Sequence, residues 1–187
     1  MAQETADGYR AVVISGNPSP TGSSGRLAKH ILGLLEVRGW QPAVVEVGDL
    51  PSDALLGRGE DPRIAEAMAA IEGAQVVIVA TPVYRAAYSG LLKVFCDLMP
   101  PAFFAGKVCV PVATGRARAH LLMIDHALRP LFASLEGVGA VTGVYAVPED
   151  FVDGAPRPEL EARLAKAAEE AVRLSAAMGG VAHAGGA

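Results

Sequence analysis

Ahead of the first helical stretch the chain reads Ser15-Gly16-Asn17-Pro18-Ser19-Pro20-Thr21-Gly22-Ser23-Ser24. Glycine and hydroxyl residues that open a helix are suited to holding phosphate. Glycine lets the backbone curl around an anion, free N–H groups point inward, and the helix start adds positive potential. No GxGxxG is present, which disfavours the dinucleotide version of such a loop. Gly22 is followed by Ser23-Ser24 rather than the Lys-Ser/Thr of a nucleoside-triphosphate loop. A phosphate held without lysine or metal points to a flavin mononucleotide. The same residues also read as an ordinary helix start, with Ser23 or Ser24 as N-cap.

The elements that must position this loop follow from hydrophobic patterning. Four β-branched runs stand out: Val12–Ile14, Val44–Val47, Val76–Val79 and Val108–Val110, with a looser fifth over Val141–Val147. The third and fourth lack polar alternation, as strands covered on both faces do. Helical spacing intervenes at Leu27, Ile31, Leu34 and Leu35; at Ile64, Met68 and Ile71; and at Leu91, Leu92, Phe95 and Leu98. Leu121, Ile124, Leu128, Leu131 and Leu135 mark a fourth helix, and Leu160, Leu164, Ala168, Val172 and Ser175 a last one. This alternation predicts a doubly wound α/β fold, a five-stranded parallel sheet of flavodoxin-like order in three layers, binding its ligand at the carboxyl ends of the strands. Pro111 lies within the fourth strand and cannot donate to a ladder, so a bulge or an early end of pairing is expected there.

The 187 residues suit a single domain over 1–187, with 1–9 and 179–187 expected to fray. Half the residues (51%) are hydrophobic and the formal net charge is −4, which argues against nucleic-acid or anionic-membrane surfaces. Cys96 and Cys109 stand in apolar stretches without CxxC or histidine-rich surroundings, so buried reduced thiols are expected and no metal site. The first ten residues do not read as a signal peptide, no run is long enough for a membrane span, and a cytoplasmic protein is expected. Trp40 is remote from the loop and reads as structural.

Ala80–Lys93 (ATPVYRAAYSGLLK) and Pro111–Pro130, with its ATG, AHLL and IDHALRP segments, closely resemble the NAD(P)H-dependent FMN reductases of two-component alkanesulfonate and methanesulfonate monooxygenase systems. The resemblance runs from the first strand to about Pro130 and more weakly beyond. It implies an enzyme that uses NADH or NADPH to reduce FMN and supplies the reduced flavin to a flavin-dependent sulfonate monooxygenase. It also implies a homotetramer. Asn17, Ser19, Gly22, Ser23 and Ser24 would hold the FMN phosphate. Thr81, Pro82, Val83 and Tyr84 would follow the isoalloxazine ring, and Thr114 and Gly115 would close its pyrimidine side. Hydride transfer between two stacked rings needs placement rather than a protein nucleophile, so no catalytic side chain is assigned.

Departures from the family pattern are informative. Relatives often carry arginine where this chain has Ser19, and small residues where it has Arg116 and Arg118. These two arginines either contact the dinucleotide phosphates or the flavin, or form a solvated pair at a helix start. His126 stands where the alkanesulfonate enzymes have a tyrosine, on a π-bulge at a subunit interface. Independently, Pro130 would clash with the carbonyl of His126, so an irregular turn is expected there. His126 is a candidate for subunit contact and flavin exchange, or else a plain packing histidine. Tyr88 is a candidate of the same kind, either lining the site or packing at an interface. Lys93 and Asp97 form an i, i+4 pair, at the surface or in a subunit contact. An FMN-bound quinone or azo reductase and a flavodoxin-type electron carrier are the alternative readings. Gel filtration separates the first of these, because such a reductase retains its flavin.

Overall fold

The structure, a computed structural model, describes residues 8–184. Four parallel strands, β1 (Arg10–Ser15), β2 (Gln41–Glu46), β3 (Val76–Pro82) and β4 (Val108–Thr114), lie in the order β2-β1-β3-β4. β3 is buried at every position, and β1 at every position after Arg10, which is why neither alternates in sequence. Alternate side chains feed opposite layers. Val12 and Ile14 join one core cluster, and Ala11 and Val13 the other.

On one face pack α1 (Ser23–Glu36) and α6 (Pro158–Ala184). On the other lie α2 (Ser52–Leu55), α3 (Pro62–Glu72), α4 (Gly90–Cys96) and α5 (Arg129–Ser134). The result is the predicted three-layer, flavodoxin-like α/β sandwich. Cys96 and Cys109 are buried, and burial pushes the Cys96 thiol up to about 12 and the Cys109 thiol higher still. Trp40 is buried against the ring of Tyr9, their centroids 4.9 Å apart. Among the described residues no helix is long and apolar enough to cross a membrane.

The fifth strand is not the single run expected over residues 141–147. Two short pieces take its place, β5 (Val138–Gly139) and β6 (Val144–Ala146), both parallel to β4. Pro111 explains the break. Its pairing with Val79 of β3 is regular, so β4 neither bulges nor ends early on that side. Ala140 N donates to Cys109 O and Gly115 N to Ala146 O, so odd-numbered groups of β4 face the fifth strand. The N–H that Pro111 lacks therefore falls in the gap between β5 and β6.

The connection across that gap is fixed by side chains. Arg129 donates to Ala140 O at 2.6 Å and Val141 O at 2.7 Å, while the Glu170 carboxylate accepts from Val141 N at 2.9 Å and Thr142 N at 2.8 Å. Burial pushes the Glu170 carboxyl up, but the hydrogen bonds from Thr142 and Val141 outweigh it and hold the group below the ordinary glutamate value. A depressed carboxyl contributes stability above its unfolded pKa and loses it as pH falls through the folded one. Glu170→Gln should thus cost about 2 kcal/mol at neutral pH, with the deficit closing as pH drops through the carboxylate range. Denaturant titrations at pH 7 and pH 3.5 check this, and a deficit of equal size at both would refute it.

The fourth helix is also broken. A short 3₁₀ turn (Arg118–His120) is followed by a π-helical turn over Ile124–Leu128, and α5 starts only at Arg129. Arg129 N donates to Ile124 O, five residues back, and Pro130 has no N–H to offer His126. After β6 comes an antiparallel hairpin that patterning did not reveal, β7 (Phe151–Val152) and β8 (Ala155–Pro156). Its turn places Asp153 at φ 49° and Gly154 at φ 81°, and the Asp-Gly pair was the available signal. Of the termini expected to fray, 1–7 and 185–187 lie outside the described residues, whereas α6 continues through 179–184.

Candidate functional site

The loop after β1 is built around the Asn17 side chain. Its carbonyl accepts from Ser19 N at 3.0 Å and its amide donates to Ser24 Oγ at 3.3 Å. Gly22 lies directly against this side chain, so that a Cβ there would stand 1.8 Å from Asn17 Nδ2. The helix N-cap is Gly22 rather than Ser23 or Ser24, and no side chain caps it. Among the described residues no hydrogen bond reaches the N–H groups of Ser23, Ser24 and Gly25, and the first turn of α1 holds no acidic residue. Those orphan donors and the helix dipole together favour an anion.

Ser89 joins this loop to the end of β3. Its hydroxyl donates to Gly16 O at 2.5 Å and accepts from Leu92 N at 3.0 Å, capping α4. Thr81 is fully buried. Its hydroxyl accepts from Ser89 N and donates to Pro82 O, so it shapes the turn from within. The chain beyond it reverses tightly, with Tyr84 and Ala87 exchanging backbone hydrogen bonds while Arg85 and Ala86 take φ of 52° and 63°. Two consecutive non-glycine residues in the left-handed region are costly and persist only because the surrounding turn holds them there. Ala86→Gly should raise stability by about 1 kcal/mol, since relief of left-handed strain exceeds the added chain entropy. A thermal melt unchanged or lowered in this variant would refute the strain.

At the end of β4, Tyr145 secures the third wall. Its hydroxyl donates to Ala117 O at 2.7 Å and stands 2.1 Å from where a Gly115 Cβ would be. Only glycine allows the ring to pass there. Val83 N donates to Thr114 O and Gly115 N to Ala146 O, linking the three strand ends.

These ends enclose a cleft of about 910 Å³. It is lined by Ser23 and Arg26 of α1, by Pro82, Val83, Tyr84 and Arg85, and by Thr114, Gly115, Arg116 and His120. Ala146, Val147, Pro148, Phe151 and Gly154 complete it. Of the residues singled out in the sequence, Ser23, Pro82, Val83, Tyr84, Thr114, Gly115 and Arg116 meet here. Asn17, Ser19, Gly22, Ser24 and Thr81 support the walls instead. Tyr88 is half-buried against the core beside α4, and His126 is exposed on the π turn; neither lines this chain's cleft. The two uncertain arginines separate: Arg118 pairs with Asp150 at 2.5 Å, while Arg116 faces the cleft. Lys93 and Asp97 form an exposed surface pair.

Patterning missed Arg26, His120 and the hairpin residues Phe151 and Gly154. The cleft lining contains three arginines and no carboxylate, in a chain of net charge −4. Arg63, Arg118 and Arg129 each pair with an aspartate, yet among the described residues no carboxylate pairs with Arg26, Arg85 or Arg116. A cleft lined by arginines that no carboxylate pairs among the described residues, by the helix start of α1, and by the apolar or aromatic Val83, Tyr84, Val147 and Phe151 fits a planar ring that carries phosphate.

Comparison with known proteins agrees with this chemistry. Residues 9–152 match the family described as NADPH-dependent FMN reductase. The FMN reductase (NADPH) of Escherichia coli strain K12 is 36% identical over 158 residues, covering 83% of this chain and 82% of that protein. The NADH-dependent FMN reductase SfnF of Pseudomonas fluorescens strain Pf0-1 is 42% identical over 148 residues, 75% of this chain and 79% of that one. The apo crystal structure of an NADH:FMN oxidoreductase, EmoB, superposes with a TM-score of 0.80 at 36% identity, covering 86% and 87% of the two chains.

Proposed function

Since the chain belongs to the NADPH-dependent FMN reductase family, we propose that it serves as the flavin-supplying half of a two-component system, passing reduced FMN to a flavin-dependent sulfonate monooxygenase. The enzyme itself is an NAD(P)H-dependent FMN reductase. When bound, the flavin and the nicotinamide supply the two-electron chemistry. The chain's residues bind and orient. The amides of Ser23, Ser24 and Gly25 would take the flavin phosphate in the loop that Asn17, Ser19 and Gly22 hold open. Val83 and Tyr84 would lie along the isoalloxazine ring, and the backbone of Thr114 and Gly115 along its pyrimidine edge. Arg85 and Arg116 remain for the phosphates of NADH or NADPH.

The observation that carries this reading is a cleft that, among the described residues, has no carboxylate in its lining and no carboxylate paired with its arginines, Arg26 on α1 and Arg85 and Arg116 on the loops after β3 and β4. The exposure of Tyr84 (51%) on one wall of the cleft supports the supply role, since a flavin beside it stays accessible for exchange. We also propose a cytoplasmic homotetramer. Leu121 and Leu122, 48% and 54% exposed beside the exposed His126, offer an apolar surface for a subunit contact. The names of the relatives divide between NADH-dependent and NADPH forms, and the relative rates with the two nucleotides rank them for this chain.

The test is NADH and NADPH oxidation by flavin-free protein with and without FMN, followed by addition of a sulfonate monooxygenase. Oxidation that requires FMN, together with sulfite release, is expected. Flavin retained through gel filtration and no sulfite would overturn the supply role.

A further inference from the structure

We propose that Arg26 is the residue by which this chain distinguishes a 5′-phosphorylated flavin from an unphosphorylated one. The inference deepens the FMN reductase reading and rests on it. Arg26 stands in the first turn of α1, where the positive end of the helix dipole disfavours a cation. That turn offers it no acidic neighbour, and among the described residues three backbone N–H groups there lack acceptors.

The side chain folds back over the helix start. Nη2 lies 3.5 Å from Ser23 Oγ, and Nη1 3.9 Å from where a Gly154 Cβ would be, so it reaches from α1 toward the β7–β8 hairpin across the cleft. Positive groups gathered in this way are mutually unfavourable until an anion joins them. A phosphate at the Ser23 hydroxyl would accept from the amides and the guanidinium together, in charge-assisted hydrogen bonds. The other two cleft arginines, Arg85 and Arg116, come from the loops after β3 and β4. Among the cleft's arginines, Arg26 alone belongs to the helix start.

Riboflavin carries the same ring and ribityl chain as FMN without the phosphate, so the two flavins isolate the contact. Flavin-fluorescence titrations of flavin-free parent, Arg26→Gln and Arg26→Lys proteins make the test. Arg26→Gln should weaken FMN roughly 10- to 50-fold, the range of a lost charge-assisted hydrogen bond, and leave riboflavin within about twofold. Arg26→Lys should recover part of the FMN affinity. The Tm of flavin-free Arg26→Gln should equal or exceed the parent's, since a cation leaves the positive end of the dipole. Equal weakening of both flavins with a lowered Tm would make Arg26 merely structural, and unchanged FMN affinity would remove it from the site; either overturns the proposal. Failure of the FMN reductase reading looks different: the parent itself would bind neither flavin and would oxidise no NAD(P)H in their presence.

Discussion

Gly22→Ala is expected to weaken FMN binding about 30-fold and to destabilise the flavin-free protein by about 2 kcal/mol, as two hydrogen bonds of one buried side chain are lost. The added methyl would stand 1.8 Å from Asn17 Nδ2 and 2.2 Å from its Cγ. Asn17 has to swing out, giving up Ser19 N and Ser24 Oγ, and the loop loses the brace that keeps the α1 amides accessible. The three nearest atoms to that methyl all lie beyond Cβ of Asn17. An Asn17→Ala/Gly22→Ala double variant should therefore be no less stable than Asn17→Ala alone, a strong non-additivity of the kind expected for touching residues. Denaturant and flavin titrations of the three variants read both effects. Parent-like FMN binding by Gly22→Ala would show that this loop is not the phosphate cradle.

Gly16→Ala should be the more damaging to the fold, costing about 3 kcal/mol, at the upper end of overpacking. Here the methyl meets Leu92 Cβ at 2.5 Å and Leu92 Cα at 3.2 Å, so backbone obstructs it rather than a side-chain tip. Relief requires α4 to move from the end of β1, which breaks the Ser89 Oγ bond to Gly16 O. Shortening the neighbour does not help, because alanine at position 92 keeps the offending Cβ. Leu92→Ala/Gly16→Ala should thus be worse than either single variant, the opposite of the outcome at Gly22. Rescue in that double variant would mean that α4 yields more readily than the contact implies.

The contrast between what patterning revealed and what it did not has a physical basis. β1, β3 and β4 were legible because burial on both faces leaves continuous β-branched runs, and α1, α3, α4 and α6 because one apolar stripe repeats with the helical period. Pro130 announced the irregular turn at His126, since a missing donor acts locally. The divided fifth strand was not legible. Its cause, Pro111, sits 27 residues before Val138, and a proline in one strand says nothing of which neighbour loses the bond. The cleft was half legible for a similar reason. Its loops are local motifs, but the meeting of Arg26 with Gly154, or of Arg118 with Asp150, depends on chain segments brought together only by the sheet. Tyr145 passing over Gly115 belongs to the same class of long-range fit.

The broken fifth strand also bears on how the molecule behaves in company. A foreign strand seeking to extend the sheet at that rim would find only Val138–Gly139 and Val144–Ala146, too short and too far apart to template a continuous ladder. The opposite rim, β2, begins Gln41-Pro42, where a proline again withholds a donor. With neither rim offering an unbroken row of backbone partners, the sheet is protected against edge-to-edge growth into fibrils, and a proline that weakens one ladder guards the whole fold.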